Sequence, residues 1–182
     1  MILNRFDEKI SRRLPAEWER HGAILMAWPH CHTDWAYMLD EVRQCYRNII
    51  AEIVKEEHVI LLAPDASEVG EMPAGVTVVE MPTNDTWTRD YGPLTAQTAD
   101  GKPLILDFRF NGWGLKFAAC HDNRATARLM EERIFSGDYE CCEDIVLEGG
   151  SIESDGCGTI LTTSCCLMAP NRNQPLTREE IQ

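Results

Sequence analysis

An α/β fold is predicted by three features of this 182-residue sequence: short apolar runs closed by proline, one long segment with apolar residues at helical three-four spacing, and turn-marked hairpin signals. Strand-like and helix-like segments alternate, and no low-complexity linker divides them, so residues 1–182 read as one domain. A chain of this length can bury a sizeable core. Its composition, 44% hydrophobic and 26% charged, excludes the disordered and fibrous classes.

The first strand is expected over residues 23–28, an apolar run ending at Pro29. Met38, Val42, Cys45, Tyr46, Ile49, Ile50, Ile53 and Val54 then recur at three-four spacing, which predicts an amphipathic helix over 34–57 with Thr33 or Asp34 as its cap. Two further strands are expected at 59–62, ending before Pro64, and at 76–81, between the turn Pro73-Ala74-Gly75 and Pro82. Runs at 94–97 and 104–110 flank Ala99-Asp100-Gly101 and read as a hairpin. A second helix is expected over 122–135, capped by Asp122 or Asn123, with Ala125, Leu129 and Met130 inward and Gly137 just past its end. After it come a short strand at 145–147, the turn-rich Glu148-Gly149-Gly150, a hairpin around Asp155-Gly156 and a strand over 159–163. At the end, Thr177 with Glu180 three residues on is a capping box opening a helix. The chain there reads either as cut within an element, which would make the domain incomplete, or as a fraying tail.

A net charge of -13 repels phosphate backbones and favours small cationic partners, so nucleic acid is not expected as a ligand. No apolar stretch is long enough for a signal peptide core or a membrane span, and the expectation is a cytoplasmic protein with no membrane partner. The eight cysteines lack C-x-x-C spacing and are read as reduced thiols. Cys31-His32 and Cys120-His121 carry donor types that zinc prefers, but no second ligand pair stands at finger-like spacing, so no metal site is expected. Oligomeric state is left open, homo-oligomers included.

Functional residue types are densest in Asn84-Asp85-Thr86-Trp87-Thr88-Arg89-Asp90-Tyr91-Gly92-Pro93, in the loop after an expected strand, where α/β proteins place their sites. A carboxylate such as Asp90 can accept two parallel hydrogen bonds from a planar guanidinium, and Trp87 can cover its face. The alternative is an internal Arg89-Asp90 ion pair with Trp87 filling a core. Trp113, between two glycines after a turn-forming Asn-Gly, either lines a pocket or anchors a loop. Glu148, ahead of glycines that permit close backbone approach, either faces a ligand or ends a strand.

In order, PAEWERHGAILMAWPH, TWTRDYGP, FRFNGWG, LEGGSIESDGCGTILTTSCCL and NRNQP resemble the agmatine deiminase and bacterial peptidylarginine deiminase family, over roughly residues 13–182. The resemblance implies a pentein-type α/β propeller, a five-bladed fan of ββαβ units, of which this chain would form the first two to three blades. It implies hydrolysis of a guanidinium group through a covalent cysteine intermediate, without metal or organic cofactor. Asp90 matches the family's guanidinium-binding aspartate, Trp87 its pocket-wall tryptophan and Glu148 the glutamate of its EGG motif, while Trp113 lies in the segment at the pocket mouth. Asp90 and Glu148 are thus the expected catalytic residues, and Trp87, Asp90 and Trp113 the expected substrate contacts. The family's Gly-His-x-Asp segment and late cysteine are not found in these 182 residues, so no nucleophile is assigned. The resemblance leaves agmatine and peptidyl arginine open as substrate. It predicts a chain that is inert alone, a guanidinium binder being the alternative.

Overall fold

The computed structural model describes residues 12–181. In chain order the strands are β1 (Arg12–Arg13), β2 (Ile24–Ala27), β3 (Val59–Ala63), β4 (Val76–Glu80), β5 (Leu94–Thr98), β6 (Pro103–Arg109), β7 (Asp138–Val146), β8 (Ile152–Ser154) and β9 (Ile160–Thr162). The helices are α1 (Leu39–Ile53), α2 (Thr88–Tyr91), α3 (Ala125–Glu131), α4 (Ser164–Met168) and α5 (Arg178–Ile181). They group into two compact units: a smaller one of Arg20–Thr88 and Cys120–Asp122, and a larger one of the described residues 12–19, 89–119 and 123–181.

In the smaller unit β2, β3 and β4 form a parallel sheet with β3 at its centre, and α1 is the crossover from β2 to β3. All five residues of β3 are buried, which suits the middle strand of a parallel sheet and explains its unbroken apolar run. Trp28, Ile50, Val59, Leu61, Ala63 and Val69 make the core. The helix is shorter than its periodicity suggests. Ala36–Met38 is a 3-10 turn, and the Thr33 hydroxyl donates to the His30 carbonyl instead of capping. Its inward stripe is narrower too, since Cys45 and Ile49 are exposed while Val42 and Ile50 are buried.

The loop after β4 is held by Asp122, whose buried carboxylate accepts from the backbone N–H groups of Asn84 at 2.6 Å and Asp85 at 3.1 Å. Neither Asp122 nor Asn123 caps the second helix. Its cap position is Arg124, without a side-chain bond, and Asn123 instead accepts from the Phe110 N–H at 2.6 Å. Burial pushes Asp122 up to about 6, against the pull of the two backbone hydrogen bonds. A carboxylate raised in this way supports the fold fully below its unfolded value near 3.8, and that support is lost as pH rises through about 6. Melting measured from pH 4 to pH 6.5 is therefore expected to show a fall in stability, of order 3 kcal/mol, that Asp122→Asn removes.

In the larger unit the sheet order is β1-β5-β6-β7, with β5 and β6 the expected hairpin and α3 crossing from β6 to the parallel β7. The helix stops at Glu131 because Arg133 turns left-handed at φ 58, and the Ile134 and Phe135 N–H groups close on the Leu129 carbonyl. The strand expected at 145–147 begins seven residues earlier. With Asp138, Glu140, Glu143 and Asp144, β7 has the charged character of an edge strand. β8 and β9 pair around Asp155-Gly156 as expected, α4 follows where no helix was expected, and α5 begins as the capping box predicts, with Glu180 accepting from the Thr177 N–H. Among the described residues no helix is long and apolar enough to cross a membrane.

Candidate active site

Within the larger unit three expected site residues come together: Asp90, Trp113 and Glu148. Asp90 lies in the single turn α2, followed by Tyr91, whose buried ring packs 5.9 Å from Phe110. Its carboxylate accepts from the Trp113 indole N–H through Oδ2 at 3.0 Å and from the Gly150 N–H through Oδ1 at 3.2 Å. Arg89 does not pair with it. That guanidinium reaches Glu17 on the surface, so the internal Arg89-Asp90 ion pair is not formed. One N–H on each oxygen fixes the carboxylate plane and leaves lone pairs for a further donor.

Trp113 sits on a left-handed turn, with Gly112, Trp113, Gly114 and Leu115 at φ 67, 57, 81 and 64. Consecutive left-handed residues are costly for Trp and Leu, and the surroundings must hold them there. Asn111 does so from one side by accepting from the Gly114 N–H. Asn171 does so from the other by donating to the Gly114 carbonyl, while its own carbonyl takes the Asn111 side-chain amide. The indole is braced edge-on by Phe110 at 5.0 Å and Phe117 at 5.6 Å.

Glu148 is 4% exposed. Arg172 Nε and Nη2 both reach its Oε1 at 3.0 Å, while Oε2 keeps only a 3.4 Å contact with Nε. Burial raises the Glu148 pKa, Arg172 opposes it, Asp90 adds to the rise by like charge and Lys116 again opposes. Two carboxylates in one electrostatic neighbourhood, one of them buried, form a site that a cation would relieve.

Glycine is required where these segments meet. A Cβ on Gly149 would overlap the Arg89 carbonyl oxygen, and one on Gly150 the Asp90 carboxylate. The fourth expected residue, Trp87, belongs to the smaller unit, where the residue is 42% exposed and its ring lies 6.0 Å from that of Trp35. Arg172 and Asn173 carried no role in the sequence reading. Asn173 is buried, accepts from the Val146 N–H and donates to the Val146 carbonyl, tying the loop to the strand that leads into Glu148. Their signal is the NRNQP segment, which helped to carry the resemblance but gave neither residue a role. All eight cysteines are free, and burial beside Glu140 pushes the Cys142 thiol up to about 12. Among the described residues no group of three or more His, Cys, Asp or Glu is placed to hold a metal ion.

A mixed α/β chain carrying an acidic, tryptophan-braced site is matched by solved structures of pentein-type deiminases, and that is its fold class. The sequence matches the Porphyromonas-type peptidyl-arginine deiminase family over residues 13–182, and the chain belongs to that family of guanidino-group hydrolases. A substrate-bound cysteine-to-serine variant of C. jejuni agmatine deiminase is 32% identical with a TM-score of 0.87, over 98% of this chain and 53% of that one. Agmatine deiminase of Enterococcus faecalis is 31% identical with a TM-score of 0.84, over 93% of this chain and 48% of that one. A relative from Pectobacterium atrosepticum, named provisionally as an agmatine deiminase, is 34% identical over 93% of this chain and 47% of its own length. The chain spans about half the length of the curated relatives it matches.

Proposed function

We propose that this chain supplies the guanidinium-holding part of an agmatine deiminase. The reaction would convert agmatine and water to N-carbamoylputrescine and ammonia. Asp90 grips the guanidinium edge, Glu148 acts beside it, Trp113 lines the pocket, and Trp87 is retained as a substrate contact on sequence grounds. The observation that carries this reading is the Asp90 carboxylate, oriented by two N–H donors, unpaired with Arg89 and coupled by like charge to buried Glu148. A thiolate must add to the guanidinium carbon, ammonia must leave protonated, and water must release the ureido product. The cysteine and the proton carrier for those steps are not assigned to any of these 182 residues.

The indole N–H resonance of Trp113 reports directly on Asp90. Millimolar agmatine is expected to shift it, putrescine to leave it in place, and Asp90→Asn to abolish the response. The isolated 182-residue chain is expected to form no ureido product. Equal responses to agmatine and putrescine would rule out guanidinium recognition, and turnover by the isolated chain would mean that the reacting groups lie within it. The peptidylarginine branch would instead appear as a response to an arginine-containing peptide exceeding that to agmatine.

A further inference from the structure

Residues 170–174 touch both arms of the acidic site. Asn171 bonds the turn that carries Trp113, Arg172 bonds Glu148, and Asn173 bonds the strand leading to Glu148. The fit is tight. A Cβ on Gly114 would stand 2.5 Å from Arg172 Nη1 and 2.9 Å from the Pro170 carbonyl oxygen, so the Arg172 guanidinium and the 170–172 backbone close tightly on the Trp113 turn. We infer that Arg172 is a positioning residue for guanidinium binding: by gripping Oε1 of Glu148 through two N–H groups it fixes that buried carboxylate in place, while its loop locks the Trp113 turn that orients Asp90.

This inference rests on the proposed function for the identity of the ligand, but not for the state of Glu148. The arginine side chain is nearly as buried as its partner, at 10% against 5% exposure, so the pair has little solvent to screen it. Arg172 gives Glu148 its Nε–H and one Nη2 N–H, so the contact with that carboxylate is made by a paired edge of the guanidinium. The charges facing Glu148 are Arg172 and Lys116, favouring the ionised form, and Asp90, opposing it. Without Arg172, burial and Asp90 act against Lys116 alone.

The test follows the Glu148 side-chain carboxyl carbon by NMR through a pH titration of the full 182-residue chain, with agmatine added at each pH. In Arg172→Gln the Glu148 titration is expected to move upward, and agmatine binding at pH 7 to weaken at least about tenfold, recovering as the pH is raised. Arg172→Lys keeps the charge but not the paired donors, and should restore the titration in part and the binding less. A folded Arg172→Gln whose Glu148 titrates as in the wild type overturns the inference. Should Arg172→Gln fail to fold, agmatine binding by Arg172→Lys equal to that of the wild type would do the same, since the paired donors would then not matter. Absence of any agmatine response in the wild type would refute the proposed function while leaving the Glu148 titration to decide the role of Arg172.

Discussion

Gly150→Ala is expected to weaken agmatine binding at least about tenfold while barely moving the melting temperature, and Gly149→Ala to lower stability by about 1–3 kcal/mol. The two glycines are adjacent, and neither has a left-handed φ, so backbone strain does not distinguish them. What differs is the atom that an added methyl group would strike. At Gly149 it is the Arg89 carbonyl oxygen, part of the main chain and unable to yield without displacing α2. At Gly150 it is Asp90 Oδ1, the end of a side chain that can swing away and lose its bonds to the Gly150 and Trp113 N–H groups in doing so. Thermal melting together with Trp113 NMR titration separates the outcomes. Two substitutions with the same effect on both readouts would mean that Asp90 orientation does not control binding.

Leu61→Ala is expected to cost about 2–5 kcal/mol in urea unfolding, and Leu161→Ala less than about 0.5 kcal/mol. Leu61 is fully buried at the middle of β3, among Trp28, Ile50 and Val59, where a lost side chain leaves a cavity that neighbours on two flanking strands cannot fill. Leu161 lies on β9 and is 68% exposed, so its truncation removes little buried surface. Similar costs at both positions would mean that the two-stranded hairpin of β8 and β9 is packed far more heavily than its exposure shows.

Much of the fold was legible in the sequence because local signals agreed with tertiary demands. Proline closure and apolar runs located β2, β3 and β4, and the turn at Ala99-Asp100-Gly101 set the pairing of Leu94 with Leu106. Where charge disguised a pattern, reading failed. The four acidic residues of β7 hid a nine-residue strand that its register with β6 makes plain. The second helix was overextended because the left-handed Arg133 that ends it carries none of the glycine signal that marks most such turns.

The site divides along the same line. Residue type and spacing marked Trp87, Asp90, Trp113 and Glu148 as candidates with a structural alternative open for each, and it was the resemblance carried by the ordered motifs that gave them roles. Sequence also determined the acidic balance and, through five ordered motifs, the family. Only the tertiary structure decided that Arg89 turns to Glu17, that the Trp113 indole and the Gly150 N–H share one carboxylate, and that Arg172, twenty-four positions beyond Glu148 in the chain, is its partner. The reason is physical. A hydrogen bond or ion pair is chosen by distance and desolvation among all donors that folding brings near, and that competition leaves no local trace in the order of residues.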